Sequence, residues 1–297
     1  MIENPENDID AILITGPTAS GKSALALELA KRHGGEVINA DSMQVYDTLR
    51  VLTARPSDDE MEGVPHHLYG HVPAGAAYST GDWLREAAGV VADLRARGVL
   101  PVFVGGTGLY FKALTGGLDD MPVIPDEIRA RLRARLLAEG PEGLHAELQR
   151  LDPATAERLG RQDGQRIVRA LEVFCATGRS IVEFQGRGGP MVIDPHRARK
   201  IVKLPERSLL HQRINRRFET MFDEGAVAEV EALLKLGLSP AMPAMKAIGV
   251  SQIAAMLRGE MTPDQVIEAA SAATRQYAKR QMTWFRNQMD ESWERIG

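Results

Sequence analysis

The segment "ILITGPTASGKSALALELA", residues 12–30, decides the fold. A run of apolar residues leads into a turn with the spacing G-x-x-x-x-G-K-S, and apolar residues at helical spacing follow the turn. This order of strand, glycine-containing loop and helix is the one that a phosphate-binding P-loop requires. The sequence therefore predicts a P-loop after the first strand of a parallel α/β sheet.

The predicted loop would bind phosphate groups through its backbone. Gly16 and Gly21 let the chain curl so that successive N–H groups point at phosphate oxygens, and the following helix adds its dipole. Lys22 is expected to reach the terminal phosphate and Ser23 to hold a Mg²⁺ ion. The full set of expected phosphate-binding residues is Gly16, Pro17, Thr18, Ala19, Ser20, Gly21, Lys22 and Ser23. The motif leaves two alternatives: a nucleotide whose phosphoryl group is moved or hydrolysed, or a substrate in which diphosphate is a leaving group.

The composition of the chain indicates an ordinary globular protein of a reducing compartment. Its 297 residues are 44% hydrophobic and 26% charged, and the single cysteine, Cys175, excludes an internal disulfide framework and a cysteine-rich zinc module. The N-terminal stretch "MIENPENDID" is acidic where an export signal would be basic and then apolar. We therefore expect a cytoplasmic protein without membrane association. No sequence feature sets the oligomeric state, and a monomer is the expectation.

The charge of the chain is unevenly distributed. The net charge is −4, yet residues 196–217 and 274–286 form two basic segments, and the first contains a single acid, Glu206. The basic residues are Arg197, Arg199, Lys200, Lys203, Arg207, Arg213, Arg216 and Arg217 in the first segment, and Arg275, Lys279, Arg280 and Arg286 in the second. One interpretation is a bound polyanion such as a nucleic acid. The alternative is a solvated helix face.

The pattern of elements predicts an α/β fold, a P-loop NTPase-like parallel sheet core with an all-helical insertion domain. Strands are expected at Ala11–Thr15, Glu36–Ala40 and Leu100–Gly105, with a helix at Thr80–Arg97. "TGGLDDMPVIPD" marks a boundary, after which the chain is helical in pattern until "RKIVKL" returns to the sheet. The predicted organisation is residues 1–120 as the first part of the core, 121–195 as the insertion, and 196–297 as the return to the core followed by helices to the end.

An aspartate follows the second predicted strand. NTP hydrolases usually hold Mg²⁺ through an acid that ends a buried strand, but the strand in "VLPVFVGGTGLY" ends in glycines and Thr107. Asp41 in "EVINADSMQVY" would instead lie at the carboxyl edge of the sheet, where ligands bind in open α/β sheets. It could be a metal ligand, a helix cap or a general base.

Three histidines cluster in "VPHHLYGHV". His66, His67 and His71 lack nearby cysteines and a clear helix that would align them. Ordinary polar packing is therefore favoured over a metal centre.

Several motifs together resemble one family. "GPTASGKS", "DSMQVY", "VPHHLYG", "VGGTGLY", "QDGQRIVRALEV" and "TRQYAKRQMTWFR", in this order, are similar to those of the bacterial tRNA dimethylallyltransferases, also called tRNA isopentenyltransferases. The resemblance runs from about residue 10 to residue 290. It implies transfer of a dimethylallyl group from dimethylallyl diphosphate to the exocyclic amine of the adenosine 3′ to the anticodon, in tRNAs that read codons starting with U. Diphosphate would be the leaving group.

The resemblance also implies roles for individual residues. The loop from Thr18 to Ser23 would hold the diphosphate, and Ser23 would bind Mg²⁺. Lys22 and Thr107 would act at the reaction centre. Asp41 would be the general base. The tRNA anticodon stem-loop would contact Asp41, Ser42, Met43, Gln44, Thr107, Arg129, Gln165, Arg166, Ile167, Val168 and Arg169, with Arg280 and Arg286 from the second basic segment. The target base would be flipped out of the anticodon loop.

Two other functions fit parts of the sequence. A P-loop kinase of small molecules would share the loop and an aspartate after the second strand, but would have no use for the basic, aromatic C-terminal segment. A noncatalytic RNA-binding ATP switch would use that segment, but would need a nucleotide-sensing acid on the third strand.

Overall fold

The computed structural model describes residues 9–186 and 188–297. The acidic residues 1–8, part of the stretch that argues against an export signal, lie outside this range. The described residues form two compact units. We call residues 9–115 and 191–297 the core unit, and residues 116–186 and 188–190 the helical unit. The helical unit begins and ends five residues earlier in the chain than the predicted insertion, 121–195. Along the described ranges, no helix is both long and apolar enough to span a bilayer.

The core unit is built on one parallel sheet of six strands in the order β3-β2-β4-β1-β5-β6. The strands are β1 Ala11–Thr15, β2 Glu36–Asn39, β3 His66–His67, β4 Pro101–Gly105, β5 Ala198–Lys203 and β6 Glu294–Ile296. The predicted parallel α/β architecture is confirmed, and β1, β2 and β4 agree with the expected strands to within about one residue. Their residues are buried, as expected for strands of a parallel sheet that is covered on both faces.

Helices cover both faces of the sheet. The helices of the first half of the core unit are α1 Lys22–His33, α2 Asp58–Met61, α3 Thr80–Ala96 and α4 Gly108–Gly116. Helix α1 packs on the face that carries Ile12 and Ile14, whereas α3 and α4 pack on the face that carries Leu13 and Phe103. The alternation of side chains along β1 therefore serves two separate apolar layers.

Two short strands were not predicted. The sequence pattern predicts helices to the end of the chain, but β6 pairs with β5, and the Leu204 N–H donates to the Ile296 carbonyl at 2.7 Å. That expectation was wrong because three residues are too few to show a periodic pattern. The same holds for the two residues of β3.

The C-terminal helices of the core unit contribute to a third apolar cluster. They are α9 Arg207–Met221, α10 Val227–Lys235, α11 Val250–Leu257 and α12 Pro263–Gln288, with a π-type turn at Phe222–Ala226 between α9 and α10. Gly225 in this turn has φ 112°, a conformation that glycine adopts without strain. Thr262 and Gln265 form a capping box that starts α12, with Pro263 at its first position.

The helical unit contains its own core. Its helices are α5 Asp126–Glu139, α6 Pro141–Leu151, α7 Pro153–Ala156 and α8 Gly164–Thr177. Leu144, Leu148, Ile167 and Leu171 are completely buried within it. This packing of four short helices gives the unit a hydrophobic centre independent of the sheet.

Candidate active site at the carboxyl edge of the sheet

Three adjacent strands deliver the predicted site residues to one edge of the core unit. The P-loop follows β1, Thr107 follows β4, and Asp41 follows β2, and these strands are neighbours in the order β2-β4-β1. The Thr15 hydroxyl donates to the Gly105 carbonyl at 3.0 Å, which joins the ends of β1 and β4. The central strand therefore places the loop after β4 between the P-loop and Asp41.

The P-loop has the curled backbone that the motif predicts. Ala19 and Gly21 adopt positive φ values of 62° and 82°, and α1 starts at Lys22. A Cβ atom at Gly16 would lie 2.5 Å from the carbonyl oxygen of Lys203, so only glycine fits where β5 approaches the loop. The Lys22 Nζ donates to the Pro17 carbonyl at 3.1 Å. This bond holds the ammonium group across the loop.

Two serines of the loop differ in their surroundings. The Ser20 hydroxyl is fully buried and has no hydrogen-bond partner among the described residues. Leaving a buried hydroxyl unpaired costs about 1–3 kcal/mol, so such a group is available to a ligand oxygen. Ser23, in the first turn of α1, is exposed.

Positive charge is concentrated around the loop. Burial lowers the pKa of Lys22 from its usual value to about 8; the nearby Asp41 opposes this shift, and the charge of Arg217 adds to it. Burial also lowers the pKa of Arg217, against the favourable charges of Glu60 and Asp41. The side chains of Lys203 and Arg213 also approach the loop, because a Cβ atom at Gly21 would lie 3.7 Å and 3.9 Å from them.

The backbone of Asp41 is fixed by a buried asparagine. The Asn39 side chain accepts from the Asp41 N–H at 2.9 Å and donates to the Asp41 carbonyl at 3.0 Å and the Leu68 carbonyl at 2.9 Å. The carboxylate Oδ1 of Asp41 accepts from the Met43 N–H at 2.9 Å. Its Oδ2 has no hydrogen bond to any described residue and lies near Gly106, where a Cβ atom would be 3.4 Å away.

Thr107 connects the loop after β4 to the residue beside Asp41. Its hydroxyl accepts from the Ser42 N–H at 2.9 Å and lies 3.2 Å from the Ser42 hydroxyl, to which it donates. Its own N–H donates to the Ala40 carbonyl at 3.2 Å. The two strand ends are therefore tied together on both sides of Asp41.

A cavity of about 330 Å³ opens between these groups and the C-terminal helices. One part of its wall is polar and includes Thr18, Asp41 and Arg217. Another part is apolar and is formed by Met43, Leu52, Ala54, Ile214, Phe218, Met221, Ala247 and Ile248. Lys246, Thr274, Tyr277 and Arg280 complete the lining together with Ala19, Ser42 and Thr53. The cavity can therefore take a ligand with one anionic end and one apolar end.

The predicted RNA-contacting residues of the core unit are not all at the cavity. Ser42 and Met43 line it, and so does Arg280, whose guanidinium lies 5.8 Å from the Tyr277 ring centroid. The Gln44 amide donates to the carbonyls of Thr53 and Ala54 at 2.9 Å and 2.8 Å, which stabilises the cavity wall. Arg286 is exposed on α12 and lies outside the lining.

The predicted RNA-contacting residues of the helical unit divide into surface and core. Gln165 and Arg166 are exposed, Arg169 pairs with Glu172, and Arg129 pairs with Asp126, both at 3.2 Å. By contrast, Ile167 and Val168 are 0% and 5% exposed and belong to the apolar core of the unit. Their side chains are therefore unavailable for the RNA contacts expected of them, because residues on the inner face of α8 must fill that core.

The histidines of the β3 region make ordinary polar contacts. His67 Nε2 lies 2.6 Å from Glu36 Oε2, and His71 Nε2 lies 2.7 Å from Glu86 Oε2. In the part of the chain that the structure describes, no group of three His, Cys, Asp or Glu side chains is arranged to hold a metal.

Several residues at the site were not singled out from the sequence. Arg217 was noted only as one charge of a basic segment, and Asn39, Lys246 and Gln281 carried no signal of their own. Gln281 lies within "TRQYAKRQMTWFR", but only packing of α12 against the strand ends brings it to the P-loop.

Comparisons with known proteins agree on one family. A family model described as IPP transferase matches residues 44–288, and one described as isopentenyl transferase matches residues 9–69. The chain is 75% identical over 296 residues to a tRNA dimethylallyltransferase of Rhizobium rhizogenes, and 73% identical over 295 residues to one of Rhizobium leguminosarum bv. trifolii. The first match covers 100% of this chain and 99% of the relative, and the second covers 99% of both.

Solved structures give the same result. The tRNA isopentenylpyrophosphate transferase of Bacillus halodurans has a TM-score of 0.69 and 34% identity, over 97% of this chain and 89% of that one. A eukaryotic dimethylallyltransferase acting on tRNA has a TM-score of 0.77 and 28% identity, over 93% of this chain and 69% of that one.

Proposed function

The chain belongs to the tRNA dimethylallyltransferase family, and we propose that it transfers a dimethylallyl group from dimethylallyl diphosphate to the exocyclic amine of the adenosine 3′ to the anticodon. The enzyme is thus a prenyltransferase. The acceptors are tRNAs that read codons starting with U, and diphosphate is released. The P-loop therefore grips a leaving group, and no phosphoryl group is moved.

One observation carries this proposal: a single cavity is lined by Thr18 and Ala19 of the P-loop, by the cation Arg217, by an apolar wall and by Asp41 with its free carboxylate oxygen. A prenyl diphosphate has one highly charged end and one apolar end, which suit these two parts of the wall. The diphosphate binds at the P-loop, near Lys22 and Arg217, and the five-carbon chain packs against side chains such as Phe218 and Met221. A small polar kinase substrate would leave that apolar surface without a partner.

The residues of the P-loop fit a Mg²⁺ ion bound together with the diphosphate. Mg²⁺ commonly keeps several waters and binds through substrate phosphates and one or two protein oxygens, so a cluster of carboxylates is not required. The exposed hydroxyl of Ser23 in the first turn of α1 would be the protein oxygen. When bound, the ion would neutralise charge on the leaving group.

The chemistry of transfer follows from the groups at the strand ends. The adenine amine is a weak nucleophile because its lone pair is delocalised into the ring, so it must lose a proton as the new C–N bond forms. Asp41 Oδ2 accepts that proton, since Oδ1 is already engaged by the Met43 N–H. As the C–O bond to diphosphate breaks, Lys22, Arg217 and the remaining loop N–H groups stabilise the charge that develops on the leaving oxygen. The N–H groups of Thr18 and Ser20 are not among them, because they donate to Gln281 and to the Pro17 carbonyl.

The tRNA anticodon stem-loop is the proposed partner. Arg280 lies in the cavity lining and is exposed, so its charge can meet phosphates of a strand whose flipped base enters the cavity. Tyr277 offers an aromatic face for stacking of that base. On the helical unit, the exposed side chains Gln165 and Arg166, together with Arg169 and Arg129, are proposed to make further contacts.

The decisive experiment is mass spectrometry of nucleosides from tRNA treated with the protein, Mg²⁺ and dimethylallyl diphosphate. A gain of one five-carbon prenyl group on an adenosine next to the anticodon is the expected result. A parallel reaction with ATP in place of dimethylallyl diphosphate tests the kinase alternative. Unmodified tRNA in the first reaction together with ATP consumption in the second would overturn the proposed function.

A further inference from the structure

A buried carboxamide joins the P-loop to the end of β4. Gln281 on α12 is 6% exposed. Its Oε1 accepts from the backbone N–H of Thr18 at 2.9 Å, and its Nε2 donates to the Gly106 carbonyl at 2.9 Å. The orientation of the amide is set by its partners, because the N–H of Thr18 needs an acceptor and the carbonyl of Gly106 needs a donor.

The two anchor points of Gln281 belong to opposite ends of the proposed reaction. Thr18 is part of the loop that grips the leaving group. Gly106 precedes Thr107, whose hydroxyl holds Ser42 beside Asp41. A Cβ atom at Gly106 would lie 2.3 Å from Gln281 Nε2 and 3.4 Å from Asp41 Oδ2, so the amide and the free carboxylate oxygen approach the same glycine. The side chain of Gln281 therefore connects the P-loop, where the leaving group is proposed to bind, to the strand end beside Asp41, the proposed base.

We propose that Gln281 is a positioning residue that sets the distance between the diphosphate loop and the Asp41–Thr107 edge, an inference that rests on the proposed function. Prenyl transfer needs the amine and the bond to the leaving oxygen held in line within a few tenths of an ångström, and a displacement of about 1 Å can cost about 100-fold in rate. Both polar atoms of the Gln281 amide are hydrogen-bonded to backbone groups, and Gln281 does not line the cavity. Its loss should therefore lower the transfer rate more than it weakens the binding of either substrate.

The test compares Gln281→Met with wild type and with Gln288→Met, which changes an exposed glutamine of the same helix. Single-turnover prenyl transfer, KM for dimethylallyl diphosphate and Kd for tRNA are measured for each, with thermal unfolding as a check on folding. We expect Gln281→Met to transfer about 10- to 100-fold more slowly with both binding constants nearly unchanged, and Gln288→Met to match wild type. A Gln281→Met rate within about twofold of wild type, or a loss confined to KM, would overturn the proposal.

A second variant keeps the test decisive if Gln281→Met does not fold. Gln281→Glu preserves the size and the acceptor for the Thr18 N–H, but an ionised carboxylate cannot donate to the Gly106 carbonyl, whereas a protonated one can. The transfer rate of Gln281→Glu divided by that of wild type should therefore rise as the pH is lowered. A ratio that does not change with pH would contradict the positioning role. Absence of transfer by wild type itself would refute the proposed function instead, so the two failures are distinguishable.

Discussion

The carboxylate of Asp41 accepts the backbone N–H of Met43 through Oδ1 at 2.9 Å, while Oδ2 has no hydrogen-bond partner among the described residues. The helix-cap interpretation of this residue is wrong, because residues 42–57 form turns and the next helix begins only at Asp58. A turn-stabilising role and a general-base role are compatible, because each uses a different oxygen. The first oxygen stabilises the turn after β2. The second is free to accept a proton.

We predict that Asp41→Asn lowers the transfer rate by about 10² to 10⁴-fold, the usual contribution of a general base. Asparagine can still accept from the Met43 N–H through its carbonyl oxygen, so the turn should persist. The amide that replaces Oδ2 cannot take a proton. Single-turnover prenyl transfer and tRNA affinity measured on the same preparation check this, and the affinity should change little.

Asp41→Ala is the matched comparison for the turn. It removes both oxygens, so it should lower thermal stability more than Asp41→Asn does, because the Met43 N–H loses its partner. Near-normal transfer by Asp41→Asn would exclude Asp41 as the base and leave only the structural role.

A second prediction concerns the pH dependence of diphosphate binding. Burial lowers the pKa of Lys22 to about 8, so the free protein loses this charge as the pH rises through about 8, well below the usual value of 10.5. Bound diphosphate favours the ammonium form. The affinity for inorganic diphosphate should therefore fall above about pH 8, by up to about tenfold per pH unit for a single proton.

The control for this prediction is Lys22→Arg, since a guanidinium stays charged throughout this range. Dividing the wild-type Kd by the Kd of Lys22→Arg removes the titration of diphosphate itself. Isothermal titration calorimetry between pH 7 and pH 9.5 provides both values. A ratio that stays constant over this range would show that Lys22 does not titrate at the site.

The packing of α12 against α4 gives a stability prediction. A Cβ atom at Gly108 would lie 2.2 Å from the Trp284 ring, so Gly108→Ala should destabilise the protein by about 1–3 kcal/mol through overpacking. Gly89, inside α3, is the control, because a Cβ there meets no described atom within 4 Å. Gly89→Ala should stabilise by about 0.5–1 kcal/mol. The urea midpoint of unfolding should therefore fall for Gly108→Ala and rise for Gly89→Ala. Equal shifts in the two variants would contradict tight packing of Gly108 against Trp284.

Local patterns were enough to predict the elements that carry the P-loop. Strand β1, Ala11–Thr15, and the start of α1 follow from one motif and one apolar run, and Asp41 follows from its place after β2. These features depend on residues that are close in the sequence, so the spacing of motif and apolar residues is enough to predict them. Strands β3 and β6 are too short to show any period.

The remainder of the site depends on contacts between distant parts of the chain. The charge of Arg217 on α9 helps to lower the pKa of Lys22, and Gln281 accepts from the Thr18 N–H across 263 positions of sequence. Nothing in the local sequence specifies how α9 and α12 pack beside the strand ends. Likewise, the family motif that contains Ile167 and Val168 does not distinguish the residues that fill the core of the helical unit from those at its surface.

The last prediction concerns the two exposed arginines of α12. Arg280 lines the cavity, whereas Arg286 lies outside it, yet both are expected to meet phosphates of the anticodon arm. Each phosphate contact releases counterions, so Arg280→Ala and Arg286→Ala should each weaken tRNA binding and reduce the slope of log K against log salt by about 1.

Arg258→Ala is the control, because Arg258 is exposed and paired with Glu260 at 2.7 Å. Filter binding of tRNA between about 50 and 200 mM salt gives the slopes. The affinity for inorganic diphosphate should stay near the wild-type value in all three variants, and a slope for Arg286→Ala equal to that of Arg258→Ala would assign Arg286 to the solvated face of the helix.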